Sequence, residues 1–289
     1  MFVVNYRKIF YIFSGLTFIA ALFFFINYGV RPAIDFTGGS LMEIKFDSEI
    51  QENEIREKLK NFNLGEVEIK KSENATYILR FKDINQSAHE EIVKNLSPKE
   101  ELRFDSIGPV IGKELKNKAA LAIIISLVLM IIYMAIAFRQ ISYIFTSWSY
   151  GFITIITLIF DIIVVLGVFA YLGRYHQVEV GLPFIAAILA VIGYSINDRI
   201  IIFDRIRENL MKSSREEFSN IIGESLRQTY IRSLNTGMGT LLVITPIIIL
   251  GGETIKFFVL TLVLGIVLGT YSSIFLAAPL LLELKKLFR

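Results

Sequence analysis

Six apolar runs constrain this chain more than any other feature: residues 9–28, 119–138, 150–172, 182–203, 236–251 and 257–282. About 20 apolar residues are enough for a helix to cross a bilayer. All the runs except the fifth reach that length, and the fifth extends by taking in Ser233 and Leu234. Lipid offers no hydrogen-bond partner to an open backbone, so such runs must be helices. The composition agrees: 54% of the 289 residues are hydrophobic, too many for an ordinary soluble domain. The first run follows Arg7 and Lys8 as a secretion signal would. It has full spanning length and no small-residue cleavage site, so it reads as a retained anchor.

Basic residues cluster in the segments that place both termini in the cytoplasm. Arg7 and Lys8 precede the first run, and Arg139 follows the second. Arg205, Arg207, Lys212, Arg215, Arg227 and Arg232 lie between the fourth and fifth, and Lys285, Lys286 and Arg289 follow the sixth. The expected organisation is an N-terminus and first span over 1–28, an outer domain over 29–118, and spans two to four over 119–203. A cytoplasmic loop over 204–233 and spans five and six over 234–289 complete it.

The outer stretch is patterned as a small α+β domain. Residues 41–46 alternate as a strand, and 49–62 carry Ile50, Ile55, Leu59 and Phe62 at helical spacing. Residues 66–70 and 76–81 read as strands around a Ser72-Glu73-Asn74 turn, 86–96 as a helix and 102–107 as a strand. The order βαββαβ is the ferredoxin-like arrangement. The fold class is therefore a polytopic α-helical membrane protein with six transmembrane helices and one extracytoplasmic ferredoxin-like domain. In the 204–233 loop, Ser214 and Glu217 form a capping-box pattern ahead of an amphipathic helix.

Several function classes drop out. A net charge of +3 and the lack of a binding motif give no case for nucleic acid. With no cysteine and only His89 and His176, no metal site and no cofactor are expected. No nucleophile–base pair is visible, so an enzyme is not expected.

The polar residues that do stand out are inside the spans. Asn197-Asp198-Arg199 interrupts the fourth run. If that run is centred near Ile192, Asp198 sits about 9 Å from the midplane at about 1.5 Å per residue. A charge at that depth costs about 2.5–3.5 kcal/mol on insertion scales, and such residues usually serve ions, protons or substrate. Arg232 enters the fifth span at a matching depth, which suggests an Asp198–Arg232 pair between neighbouring helices. In the alternative reading, Asp198 pairs with Arg199, which snorkels to the interface. Asp161 lies mid-way along the third span, with no basic residue matched to its depth. It is expected to be a neutral carboxyl that either hydrogen-bonds a neighbouring helix or belongs to a proton route.

Gly265 and Gly269 form a G-x-x-x-G suited to close helix packing, followed by Thr270-Tyr271-Ser272-Ser273. Pro246 and Pro279 are candidate kinks. Gly38 and Gly39 precede the outer domain, and Gly108 and Gly112 follow it. They lack the Gly-Lys-Ser/Thr of a phosphate loop and read as hinges or turns.

Five segments carry a resemblance. They are Asp35-Phe36-Thr37-Gly38-Gly39, the stretch 108–115, Gly193-Tyr194-Ser195-Ile196-Asn197-Asp198, the stretch 203–208 and Gly269-Thr270-Tyr271-Ser272-Ser273-Ile274. Together, in order and over the whole chain, they resemble the SecF family, the smaller membrane subunit of the SecD–SecF complex of bacterial protein export. The resemblance implies kinship to the resistance–nodulation–division transporters and a place in the bacterial cytoplasmic membrane. It implies use of the proton-motive force, with SecD, to draw preproteins across after SecA has acted at the SecYEG channel, with YidC and YajC as further candidate partners. It places the proton-coupling carboxylate on Asp198 and its partner on Arg232, and puts Asp161 on a family aspartate. Two positions depart from the family: Arg199 stands where a small hydroxylic residue is usual, and Phe160 where a histidine often precedes the aspartate. Asn197 and Arg199 are thus candidate modulators of the site. The rival reading is half of a proton-coupled small-solute exporter of the same superfamily; a passive scaffold is a third.

Overall fold

A computed structural model describes residues 2–72, 74–138, 147–212 and 217–287. Arg139, Arg215 and Arg289 from the charge pattern, Glu73 of the turn and the Ser214 half of the capping box lie outside them. The elements run in order: α1 (Phe2–Asn5), α2 (Arg7–Tyr28), β1 (Arg31–Pro32), α3 (Ile34–Thr37), β2 (Gly39–Lys45), α4 (Glu52–Leu59), β3 (Glu68–Lys71), β4 (Thr76–Phe81), α5 (Gln86–Leu96), β5 (Glu100–Ile107) and α6 (Pro109–Ala137). Then follow α7 (Ser147–His176), β6 (Glu179–Val180), α8 (Leu182–Lys212), α9 (Phe218–Leu250), α10 (Glu253–Ser272), a π-helical turn (Ser273–Ala277) and α11 (Ala278–Leu287). Six helices are long and apolar enough to cross a membrane, as the six runs require; the sixth runs through α10, the π turn and α11.

The chain divides into two compact units, Pro32–Leu121 and the remainder, so the second boundary falls inside α6, and each boundary lies three residues C-terminal to the one expected. In the smaller unit, strand alternation sets the core. Ser40, Met42 and Ile44 of β2 and Tyr77, Leu79 and Phe81 of β4 are buried, while the residues between them are more exposed. Ile55 and Leu59 of α4 and Ile92 and Leu96 of α5 complete that core. The strand order is β3-β4-β2-β5, with all three neighbouring pairs antiparallel. Asn85 caps α5, its Oδ1 accepting from Ala88 N at 3.0 Å. α4 is shorter than the 49–62 pattern, because the backbone tightens past Leu59 to let Phe62 N donate to Leu59 O at 3.1 Å.

In the larger unit, α7, α8 and the α10–α11 span form the buried centre, whereas α6 and α9 leave most of their apolar surface outward. The amphipathic stretch after residue 217 is not a separate helix. It is the first turns of α9 and continues without interruption into the fifth span. Its Phe218, Ile221, Ile222 and Leu226 pack with Ile206 and Leu210 of α8 and Leu281 and Leu282 of α11. α9 also continues through Pro246. Pro279 is the second residue of α11, just past the π turn, where regular α-helical bonding is already interrupted and a missing N–H costs little.

Candidate functional site

Glycine brings the helices of the site together. A Cβ added at Gly265 would collide with Val191, and one added at Gly269 would collide with Ser195 Oγ. The G-x-x-x-G is therefore an intramolecular seam between α10 and α8, with Val191 and Ser195, also four apart, as its other side. This close approach sets Thr270, Ser272 and Ser273 against α8. Ser273 Oγ donates to Gly269 O at 2.6 Å.

Three charged side chains are fully buried in this region: Asp161 and Arg199 at 0% exposure and Asp198 at 1%. Arg199 Nη2 donates to Asp161 Oδ2 at 2.5 Å and to Ser272 Oγ at 2.8 Å. Ser272 Oγ in turn donates to the same Asp161 oxygen at 3.0 Å. Asp161 thus does have a basic partner, contrary to its expected isolation. α7 and α8 run past each other, so Arg199 meets Asp161 although 38 residues separate them. Nor does Arg199 snorkel outward.

Asp198 has different surroundings. Ser233 of α9 and Thr270 of α10 lie beside its carboxyl, and Arg199 and Arg232 both act on it electrostatically. Asp198 Oδ2, Ser233 Oγ and Thr270 Oγ1 are buried without a completed hydrogen bond. The same holds for Tyr194 OH, one helical turn before Asp198. A Cβ added at Gly237 would come within 3.1 Å of Thr270 Oγ1 and 3.2 Å of Tyr194 OH, so this glycine keeps the space between them open. Arg232 is exposed, and among the described residues it forms no ion pair with Asp198. Asn197 is exposed too and lies on a different helical face from Asp198. Phe160, in place of the family's histidine, packs with Phe18, Ala21 and Val164.

Sequence reasoning named Asp198, Asp161, Arg199 and Arg232 but gave no role to Tyr194, Ser195, Ser233, Gly237, Thr270 or Ser272. The signal for four of these six was their place in the segments around 193–198 and 269–274. No cluster of three potential metal ligands exists among the described residues.

Four of the five glycines of the Pro32–Leu121 unit lie in its two end segments. Gly38 and Gly39 have φ of +74° and +120°, a region closed to most side chains. A Cβ at Gly112 would lie 2.8 Å from Gly38 N, and one at Gly38 would lie 2.7 Å from Pro109 Cα. Gly108 has open space around it, and its carbonyl accepts from Gly112 N at 3.0 Å.

Residues 88–287 match the family model described as protein export membrane protein SecD/SecF, C-terminal, and residues 23–50 match the SecD/SecF GG motif. The chain belongs to the SecD/SecF family. It is 37% identical to the protein translocase subunit SecF of Thermobaculum terrenum, over 97% of this chain and 93% of that one. It is 38% identical to the subunit of the same name from Haemophilus influenzae, over 94% and 82%. Among solved structures it resembles SecDF, a translocon-associated membrane protein from Thermus thermophilus, with a TM-score of 0.84 and 28% identity. The likeness covers 98% of this chain and 38% of the SecDF chain, so this chain spans well under half of that larger protein.

Proposed function

We propose that the chain is the SecF-type subunit of a bacterial Sec-associated complex, working in the cytoplasmic membrane with both termini in the cytoplasm. A SecD-type subunit supplies the other half of the membrane unit, and the pair acts beside the SecYEG channel on unfolded preproteins, downstream of SecA. The outer unit is read as ferredoxin-like; its strand order and two intervening helices support this. It transmits movement through the segments around Gly38-Gly39 and Gly108–Gly112.

Asp198 takes up and releases the coupling proton, and Arg232 steadies its charged form. One observation carries this reading: a carboxyl 1% exposed among α8, α9 and α10, ringed by hydroxyls, with an oxygen left free to bind a proton. Moving one charge across the membrane field yields about 2.3 kcal/mol per 100 mV. That is enough to bias a two-state change, since about 1.4 kcal/mol is tenfold in an equilibrium. The relatives matched are named as translocase subunits, which does not favour the small-solute exporter.

The test is preprotein translocation into membrane vesicles with and without a proton gradient. Asp198→Asn keeps size and hydrogen bonding but cannot titrate. It should copurify with its partner yet lose the gradient-dependent part of translocation. A full gradient response in Asp198→Asn would move the proton elsewhere.

A further inference from the structure

The buried set Asp161, Asp198 and Arg199 contains two carboxyls and one guanidinium. Arginine does not give up its proton in proteins. A buried cation without a counter-ion is far costlier than one in a hydrogen-bonded pair. One of the two carboxyls must therefore stay ionised as its partner, and the set is neutral when the other holds a proton.

The geometry decides which is which. Asp161 Oδ2 receives both Arg199 Nη2 at 2.5 Å and Ser272 Oγ at 3.0 Å. Asp198 receives no completed bond from Arg199, and its Oδ2 is unoccupied by any donor. Arg199 Nε and Nη1 and Asp161 Oδ1 are also without partners, so the guanidinium retains donors it could present to a second carboxylate. The charged or titratable groups acting on Asp198 are Arg199 and Tyr194 from its own helix and Arg232 from α9. Those acting on Asp161 reduce to Arg199.

We infer that Arg199 fixes the proton count of this site at one, by holding Asp161 permanently ionised as its counter-ion and leaving Asp198 free to exchange. Asp161 is then a positioning residue that acts through Arg199, not a second proton carrier. This rests on the proton-coupling reading above and goes further by giving each carboxyl a separate task. It also explains how an arginine is accommodated beside the exchanging carboxyl: its charge is already committed to another helix.

The consequence is specific. In Asp161→Asn, Arg199 loses its counter-ion and turns its free donors to Asp198, which becomes locked as the ion-pair partner. The gradient response should fall to the gradient-independent rate. In the double variant Asp161→Asn with Arg199→Gln, the buried cation is gone as well, Asp198 is released, and the response should return to at least half the parent level. If Asp161 carries the proton itself, the double variant stays unresponsive. An unresponsive double variant that accumulates and copurifies with its partner would overturn the inference, and so would a fully responsive Asp161→Asn.

Should Asp161→Asn alone fail to accumulate, restored accumulation in the double variant supports the pairing, and its gradient response still decides the carrier. Failure of the double variant to accumulate counts against the pairing, because both buried charges have been removed together. The parent and Asp198→Asn run beside these as controls. A parent without a gradient response, or an Asp198→Asn with one, indicts the proton-coupling reading itself.

Discussion

Asp198 and Arg199 are neighbours in the chain yet face different helices: Asp198 lies beside Ser233 and Thr270, and Arg199 reaches Asp161 and Ser272. Successive residues on a helix point about 100° apart at about 3.6 residues per turn. That angle turns one short polar motif into two separate contacts. The carboxyl opens toward α9 and α10, and the cation closes the gap to α7. Peptide neighbours thereby avoid forming a self-satisfied pair, which would leave Asp161 unpaired and Asp198 occupied.

Arg232→Ala should weaken the gradient-dependent part of translocation without abolishing it. Arg232 is exposed and acts on Asp198 only at a distance, whereas Arg199 is also within electrostatic range. Rates measured across a series of imposed gradients would check this. A loss as complete as that of Asp198→Asn would mean Arg232 contributes far more than its position suggests.

Gly269→Val should destabilise the membrane unit. The added side chain meets Ser195, so α10 must move away from α8 and carry Ser272 off Asp161 and Arg199. Overpacking of this kind costs about 1–3 kcal/mol. Gly193→Ala, on the same helix as Ser195 but in open space, is the matched control. Thermal unfolding in detergent should show a lowered midpoint for the first and little change for the second.

Gly112→Ala and Gly108→Ala separate packing from hinging in the Pro32–Leu121 unit. The first puts a methyl 2.8 Å from Gly38 N and should loosen the unit; the second meets nothing. Protease resistance of this unit in the full chain should fall for Gly112→Ala only. If Gly108→Ala then keeps its stability but loses translocation, the hinge role of that segment gains support; unchanged translocation counts against a hinge at Gly108.

Cysteines introduced singly at Lys58 and Lys212 test the topology, in a chain that has none of its own. Both side chains are solvent-exposed, at 37% and 66%. In intact cells an impermeant thiol reagent should label the first and not the second, and the opposite pattern would reverse the proposed orientation.

Whatever depends on local pattern is legible along the chain. Runs of apolar residues specified six spanning helices, because lipid leaves the backbone no other way to satisfy its hydrogen bonds. Alternation in 41–46 and 76–81 specified strands β2 and β4 and the side of each that enters the core. Depth along a run was also enough to single out Asp161, Asp198 and Arg232. Tertiary structure alone decided which of these groups meet. Helical rotation and the Gly265–Gly269 seam gave Arg199 to Asp161, made Ser272 the link between them and gathered Ser233, Thr270 and Tyr194 around Asp198. It also fused the amphipathic stretch after residue 217 to the fifth span. A residue's depth follows from counting along one helix. Its partner depends on how neighbouring helices are turned and how closely they approach, which contacts far apart in the chain establish together.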